Sequence, residues 1–263
     1  MKRILLSLLL LISFTACNKD QNEITIVTTT SLDNSGLLAY IIPTFEKEYD
    51  CKVKIVAIGT GAALELGKLK QADILLVHDK VREIKFVDEG YGDKRKQIMF
   101  NDFIFVGPEK TEVSNVFEML TFLNTGKEFY SRGDNSGTHS REMGIWVDYG
   151  FDPSSFGNWY NETGQSMGAT LNMASEKGTY TFTDRGTYLS MKENLNLVIA
   201  YENTPKLMNE YGVIVVSDLD NPLSELFYDW ITLDTTKDLI DSYIKYGEQL
   251  FYTYRGEWWY LRV

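Results

Sequence analysis

The sequence predicts an α/β protein of two lobes, in which most strands are parallel. Short apolar runs of strand length alternate along the chain with segments whose apolar residues recur at helical spacing, which is typical of a parallel sheet covered by helices. Two further apolar runs, Ile98–Val106 and Gly212–Val216, are interpreted as the strands by which the chain crosses into a second lobe and returns. With 263 residues, 44% of them hydrophobic, the chain can bury one large core or two modest ones.

The first lobe begins with three strand–helix pairs. Strands are predicted where apolar residues cluster in short runs, and helices where apolar residues recur every three or four positions. In chain order the predicted elements are a strand at Ile24–Val27, a helix at Leu37–Tyr49, a strand at Val53–Ile58, a helix through Leu66 and Leu69, a strand at Ala72–Val77 and a helix at Val81–Val87.

The second lobe follows the long strand, which ends at Gly107-Pro108. We place the first lobe at 23–105, the second lobe at 106–212, and the return to the first lobe at 213–263. The later elements are predicted as helices at Val116–Leu123, Gly137–Tyr149, through Leu171 and Ala174, Leu223–Ile231 and Asp234–Phe251, and as strands at Phe129-Tyr130, from Tyr180 into a polar turn at Thr187, and at Leu195–Ala200.

The first sixteen residues are typical of a secretory signal. Met1-Lys2-Arg3 precedes an apolar run that is too short for a membrane span. Its end, Phe14-Thr15-Ala16-Cys17, resembles the lipobox of bacterial lipoproteins. Residues 1–16 are therefore predicted to be a lipoprotein signal peptide, Cys17 a lipidated N-terminus, and 17–22 a tether; an ordinary signal peptide is the alternative.

Composition limits the classes of partner. The net charge is −11, and nucleic-acid-binding proteins usually show a basic surface instead. Two distant histidines and two cysteines give no zinc pattern, so no metal or cofactor is predicted. We expect Cys51 to be a buried structural thiol, with a Cys17–Cys51 disulfide as the weaker alternative.

The segment Ser131–His139 carries the strongest functional signal. It follows a short apolar run and leads into a helical pattern, so it is predicted to form a tight turn and a helix start, whose unpaired N–H groups attract anions. Arg132 adds a rigid donor fork suited to tetrahedral oxyanions, and Asp134 is placed to hold that fork. Small residues beside the turn allow close approach of a ligand; they are Ser136, Gly137 and Thr138.

Two further strand ends carry hydroxyl or glycine residues before a helix. Thr28–Ser31 follows the first strand and Gly59–Leu64 the second, and open α/β sheets bind ligands at such ends. Helix capping is the alternative for the hydroxyl run. Gly59–Leu64 lacks the Gly-Lys-Ser/Thr ending of a P-loop and the third glycine of a dinucleotide site.

Two other motifs admit alternative functions. Gly164–Gly168 matches the Gly-x-Ser-x-Gly nucleophile elbow of a serine esterase, with Ser166 as the nucleophile. Both histidines precede Ser166, however, and Asn158–Glu162 is a poor candidate for the strand that the elbow requires. Asp184-Arg185 lies at a strand end and is interpreted as an intra-lobe ion pair, with ligand contact as the alternative.

Together these residues resemble the tungstate-binding proteins of bacterial ABC uptake systems, over about Ile24–Val216. Arg132–Thr138 also resembles the phosphate-binding proteins of the same superfamily. One departure is that Gly107-Pro108 is not followed by the expected Asp-Pro-Ala. The shared motifs are Thr28–Ser31, Gly59–Leu64, Ala72-Asp73 with His78, Asn101–Phe103, Ser131–His139, Trp159-Tyr160, Gly168 with Leu171, Asp184-Arg185 with Thr187, and Asn209 with Tyr211.

The resemblance implies a two-lobed periplasmic-binding-protein fold, type II-like, that closes on its ligand and makes or breaks no bond. It also implies an exported, lipid-anchored monomer that passes its ligand to an ABC permease with an ATPase subunit. Supporting roles fall to Asp134, Asp184 and Arg185. The residues implied to bind the ligand are Thr29, Thr30, Ser31, Thr60 and Gly61 on one wall, and Arg132, Ser136, Gly137 and Thr138 on the other.

The chemistry of these residues favours tungstate or molybdate among the oxyanions. Tungstate is a full dianion at neutral pH, so each of its oxygens accepts hydrogen bonds, whereas phosphate keeps a proton and gains from a carboxylate acceptor. Asp134 is the one carboxylate in the three ligand motifs, and Arg132 can occupy it. Phosphate or sulfate remains the alternative, and the sequence does not rank tungstate against molybdate.

Overall fold

The computed structural model describes residues 22–202 and 204–255, so the predicted signal peptide, Cys17, most of the tether and the last eight residues lie outside the described residues. Strand–helix alternation in the first part of the chain is confirmed. Its elements are β1 (Glu23–Thr29), α1 (Thr30–Ser35), α2 (Leu37–Tyr49), β2 (Lys52–Ile58), α3 (Thr60–Lys68), β3 (Ile74–Val77), α4 (Lys80–Asp88) and β4 (Gly92–Gly107).

The described residues after β4 continue the same pattern, with mostly shorter strands and with three 3₁₀ turns. No helix of the described residues is long and apolar enough to cross a membrane. The elements are α5 (Val116–Asn124), β5 (Phe129–Ser131), α6 (Gly137–Asp148), β6 (Tyr160–Glu162), α7 (Met167–Lys177), β7 (Tyr180–Asp184), α8 (Arg185–Met191), β8 (Val198–Tyr201), β9 (Met208–Val216), α9 (Pro222–Thr232), α10 (Asp234–Asp241), β10 (Ile244–Lys245), β11 (Glu248–Gln249) and β12 (Tyr252–Thr253).

Two parallel blocks of strands are joined by two long strands. The main sheet path is β2-β1-β3-β9-β4-β7-β5-β6, with β1–β3 parallel to one another and β5–β7 parallel to one another. β4 pairs with β9 as far as Asp102 and with β7 from Phe103 onward. The two apolar runs interpreted as crossings therefore lie in the strands that connect the blocks, while the lobe boundaries 105/106 and 212/213 stay a prediction.

The carboxyl ends of β1, β2 and β3 meet at one edge of the sheet because these strands are parallel and adjacent. Each leads directly into a helix, and so does β5 in the other block. This arrangement brings the loops before α1, α3, α4 and α6 to positions from which they can face one another.

Separate apolar clusters support the two blocks. In the first block, α9 packs Phe227 and Trp230 against Phe45 of α2, with ring centroids 5.1 and 5.2 Å apart. In the second block, Trp146 of α6 is fully buried among rings that include Phe129 and Phe156. Both clusters therefore hold helices that begin or end near the strand edge described above.

Cys51 is buried, as predicted, and has no disulfide partner among the described residues. Burial raises the pKa of its thiol above the usual value, which disfavours the reactive thiolate. The alternative disulfide with Cys17 lies outside the described residues.

The last predicted helix, Asp234–Phe251, is wrong after Asp241. The chain instead turns back through Tyr246 and Gly247, both at positive φ, in the hairpin between β10 and β11. The carboxylate of Asp241 accepts hydrogen bonds from the N–H and hydroxyl of Thr253, each at 2.8 Å, and so fixes β12 beside the end of α10.

Two predictions in the second block are also corrected. The polar turn after Tyr180 is the helix α8, because Asp184 caps it by accepting from the N–H and hydroxyl of Thr187 at 2.8 and 2.7 Å. The segment before Ser166 contains the strand β6, which pairs with β5 in parallel register. With only three residues, β6 is specified by its neighbour more than by its own apolar pattern.

Candidate oxyanion-binding cleft

A cleft of about 490 Å³ lies between the two blocks. It is lined on one side by Thr60, the first residue of α3, and on the other by Gly137, the first residue of α6. His78, which follows β3, also lines it. The structure therefore brings two of the predicted helix starts to a common cavity, one from each predicted lobe.

The hydroxyl run after β1 divides into structural and exposed residues. Thr28 donates to the carbonyl of Leu76 at 2.7 Å, and Thr29 caps α1 by accepting from the N–H of Leu32 at 3.4 Å. Both are buried, whereas Thr30 and Ser31 are exposed. The capping interpretation thus applies to Thr29. Thr30 and Ser31 are exposed but do not line the 490 Å³ cleft, which Ser31 approaches through His78.

The start of α3 presents backbone donors to the cleft. Its N-cap is Gly59, which supplies no side-chain hydrogen bond to the first turn, so the N–H groups there stay available to an anion. Thr60 is buried and Gly61 is half-buried. A Cβ at Gly61 would lie 3.3 Å from Nη1 of Arg82, which shows how closely this guanidinium approaches the helix start.

His78 lies between the two walls. Its Nε2 is 3.4 Å from Oγ of Ser31, its ring centroid is 5.0 Å from that of Tyr211, and a Cβ at Gly137 would lie 3.2 Å from its Cε1. Burial lowers the pKa of His78 below its usual value, although the carboxylates of Asp184 and Asp79 act in the opposite direction. A neutral imidazole therefore links the α1 loop to the start of α6.

His78 directly follows β3 and lines the cleft, but it is not among the residues predicted to bind the ligand. The signal was present, since β3 is the parallel neighbour of β1 and its carboxyl end must open on the same edge of the sheet. Tyr211 was noted only as a shared motif; its hydroxyl is buried and accepts from Asn209 at 3.2 Å.

Asp134 holds Arg132, as the sequence predicts. Nη2 of Arg132 donates to Oδ2 of Asp134, and Oδ1 of Asp134 accepts from the N–H of Ser136 at 3.1 Å. Burial alone would raise the pKa of Asp134, but the hydrogen bonds from Ser136 and the Arg132 guanidinium outweigh it and keep the pKa below its usual value. The carboxylate therefore stays ionised and is occupied by donors of its own loop.

The Arg132 side chain is only 18% exposed, and its Nε is buried without a hydrogen-bond partner among the described residues. Arg132 itself does not line the 490 Å³ cleft; it lies in the loop that leads to Gly137. A buried N–H without an acceptor is costly, so this donor is suited to an anion that enters the loop.

The start of α6 is capped within the motif. Oγ of Ser136 accepts from the N–H of His139 at 3.3 Å, and Nδ1 of His139 accepts from the N–H of Asn135 at 3.0 Å. His139 is buried and so supports the turn that precedes Gly137. Gly137 is exposed to the cleft and Thr138 is half-buried beside it.

A buried carboxylate fixes α6 to β5 directly behind Arg132. Glu142 accepts from the hydroxyls of Ser131 and Tyr160, each at 2.7 Å, and from Nε1 of Trp146 at 3.3 Å. Burial raises the pKa of Glu142 to about 7, although these donors favour the charged form. The network positions the binding loop, and sequence analysis did not identify it because its members are spread over thirty residues of chain.

Asp184 and Arg185 do not line this cleft. Arg185 is buried and binds Asp102 through two hydrogen bonds of 2.8 and 2.6 Å, with Glu202 at 2.6 Å as a second partner. The ion-pair interpretation therefore describes Arg185, whose partners are these acids rather than Asp184. Because Asp102 is the last residue of β4 that pairs with β9, this ion pair lies where the chain passes between the two blocks.

Ser166 caps α7, where its Oγ accepts from the N–H of Ala169 at 3.4 Å. The required strand is present, contrary to the prediction, but no histidine of the described residues hydrogen-bonds to Ser166. The described residues also contain no group of His, Cys, Asp and Glu that could hold a metal ion.

Comparison with known proteins agrees with this geometry. The family model described as "PBP superfamily domain" matches residues 15–235. The tungstate-binding protein TupA of Peptoclostridium acidaminophilum is 43% identical over 246 residues, which cover 88% of this chain and 85% of that protein. The chain belongs to the PBP superfamily, and within it to the TupA family.

Other members of the TupA family give the same result. TupA of Campylobacter jejuni is 37% identical over 235 residues, 84% of this chain and 87% of that protein. The solved structure of TupA from Desulfovibrio alaskensis G20 superposes with a TM-score of 0.82 at 37% identity, covering 88% of this chain and 98% of that one. The family resemblance and the two-lobed α/β fold expected from the sequence are both confirmed.

Proposed function

We propose that this protein is the substrate-binding component of an ABC importer and that it captures tungstate, with molybdate as the nearest competitor. The TupA relatives are named as tungstate-binding proteins, and an importer component of this family acts outside the cytoplasm. Its further partners are then an ABC permease and the ATPase subunit of that permease.

The observation that carries the proposal is the meeting of helix starts from both blocks on one cleft, beside an arginine with a buried, unpartnered N–H. Helix N-termini offer N–H donors without acceptors, and hydroxyls can add an O–H donor. The carboxylates near these donors are already engaged: Asp134 by Arg132 and Ser136, and Asp79 and Glu210, which line the cleft, by Arg82 and Lys80. Such a set of donors suits an anion whose oxygens all accept hydrogen bonds.

Binding rather than catalysis is proposed as the activity. Thr30, Ser31, Thr60 and Gly61 bind one side of the anion, and Arg132, Ser136, Gly137 and Thr138 bind the other. An anion that contacts both walls binds the closed arrangement of the lobes more tightly than the open one, and it therefore favours closure. The lobes rotate about β4 and β9, and Cys17 anchors the exported monomer through its lipid.

Titration calorimetry with sodium tungstate, molybdate, sulfate and phosphate tests this function. We expect tungstate and molybdate to bind with 1:1 stoichiometry and far more tightly than phosphate, because a protonated phosphate would place its O–H against a donor. Sulfate is a full dianion with shorter bonds, so its affinity reports how closely the site fits the larger anions. Tight phosphate binding without tungstate binding would instead identify a phosphate-binding protein. Absence of binding by all four anions would reject the oxyanion function altogether.

A further inference from the structure

The cleft is several times larger than one tetrahedral oxyanion. Its volume is about 490 Å³, whereas an anion with four oxygens displaces roughly the volume of three waters, ~90 Å³. Three cationic side chains line it besides the helix starts: Lys80, Arg82 and Arg141. None of the three belongs to the donor set proposed above, so their presence in the cleft needs a separate explanation.

Two of these cations are already paired with acids. Nζ of Lys80 lies 3.5 Å from the carboxylate of Glu210, and Nε of Arg82 donates to Oδ2 of Asp79 at 2.7 Å. Their charges are therefore largely compensated by neighbours on the same wall of the cleft.

Arg141 is different, because it has no such counter-ion. Its Nη2 donates to the carbonyl of Lys206, its Nε is buried without a hydrogen-bond partner, and no described carboxylate lies within ion-pair distance. Burial lowers the pKa of this guanidinium, while Asp148 and Glu210 oppose that effect from farther away. Arginine nevertheless stays protonated at neutral pH, so Arg141 places an uncompensated positive charge in the cleft.

The position of Arg141 relates it to the binding loop. Arg141 follows Gly137 by four residues in α6, so the two share one face of the helix, and both line the cleft. Arg82 comes from α4 on the other side, within contact distance of the start of α3. A cation from each wall thus flanks the donors.

A local positive charge matters in this protein because its net charge is −11. At long range such a field repels a dianion, and association then depends on the potential inside the cleft. We propose that Arg141, on the α6 side of the cleft, forms an outer site at which an incoming tetrahedral dianion is held before the lobes close. The proposal rests on the proposed function and concerns the rate of capture more than the final affinity.

Stopped-flow tryptophan fluorescence with sodium tungstate, at several ionic strengths, tests the outer site. Arg141→Gln removes the charge but keeps an amide that can donate to the Lys206 carbonyl, and Arg141→Lys keeps the charge. The matched control is Lys177→Gln, which removes an equal charge from an exposed position of α7 that does not line the cleft.

At low salt we expect the association rate of Arg141→Gln to fall about five-fold, as for removal of one charge near a dianion in water. Arg141→Lys and Lys177→Gln should stay within two-fold of wild type, and the deficit of Arg141→Gln should shrink as salt is added. An association rate of Arg141→Gln equal to wild type would overturn the outer site. An equal loss in Arg141→Lys would also overturn it, because the size and packing of the arginine side chain, rather than its charge, would then be what matters.

The wild-type protein provides a test that needs no variant. If the outer site attracts the anion, the wild-type association rate falls as ionic strength rises; a rate that rises with salt shows that overall repulsion dominates, which contradicts the proposal. If wild type binds tungstate but its association rate rises with salt, only the outer site is rejected. If wild type binds no tungstate, the oxyanion function itself is rejected.

Discussion

Replacing Arg132 by alanine is expected to weaken tungstate binding by about ten- to a hundred-fold, since hydrogen bonds to charged groups contribute about 1.5–3 kcal/mol each. The Arg132 guanidinium is held by Asp134 and keeps one buried N–H without a partner, so its position is set before the ligand arrives. The alanine variant loses this donor and also leaves the Asp134 carboxylate without its cation. Titration calorimetry with sodium tungstate measures the effect.

Arg132→Lys is the matched variant, because it retains the charge without the planar fork. We expect its affinity to lie between those of wild type and Arg132→Ala. Lys127→Gln, which removes an exposed cation before β5, should bind as wild type does. Wild-type affinity in Arg132→Ala would mean that this side chain does not contact the anion.

Glu142→Gln is expected to change how the stability of the protein depends on pH. Burial raises the pKa of Glu142 to about 7 in the folded chain, whereas an unfolded glutamate titrates near 4.3. Because the folded chain holds this proton more tightly, the contribution of Glu142 to stability is complete below about pH 4 and is lost as the pH rises through about 7. Each pKa unit corresponds to ~1.4 kcal/mol, so the loss reaches about 4 kcal/mol at pH 8.

Denaturant unfolding of wild type and Glu142→Gln from pH 4 to pH 8 measures this difference. The free energy of unfolding of Glu142→Gln should increase steadily, relative to that of wild type, as the pH rises. Burial also raises the pKa of Glu83 to about 7. Because Glu83 is present in both proteins, its effect cancels in the difference between their free energies of unfolding. Glu176→Gln, at an exposed position of α7, should follow wild type at every pH. A difference in the free energy of unfolding between wild type and Glu142→Gln that stays constant with pH would show that Glu142 is already ionised at pH 4 when folded.

The fold was predictable from the sequence where burial leaves an apolar pattern. The strands β1 to β3 and the helices α2 to α5 lie close to their predicted positions for this reason. β4, in contrast, begins at Gly92, six residues before the predicted start at Ile98, because Asp93–Gln97 is polar and partly exposed although it pairs with β9. The end of α10 was not predicted because it is set by the hairpin that follows. The strand β6 was not predicted because its pairing with β5 specifies it.

Of the three predicted ligand loops, those at the starts of α3 and α6 line the cleft, whereas the loop after β1 does not. Thr60 and Gly137 share the cleft as predicted, whereas Thr29 uses its hydroxyl to cap α1. His78 and Glu142 were not included because a lone histidine or glutamate has no pattern of its own. Their roles depend on partners from distant segments, which only the pairing of the strands brings near.

The most direct test of the central claim is to locate the ligand itself. Tungsten scatters anomalously, so a crystal of the protein grown with sodium tungstate reports the position of the anion without assumptions about its contacts. We expect a single tungsten site between the blocks, with its oxygens within ~3.2 Å of donors from the start of α3 and from the loop that contains Arg132 and Gly137. Tungsten bound against one block alone, or in the cavity lined by Asp102, Arg185 and Glu202, would contradict the account.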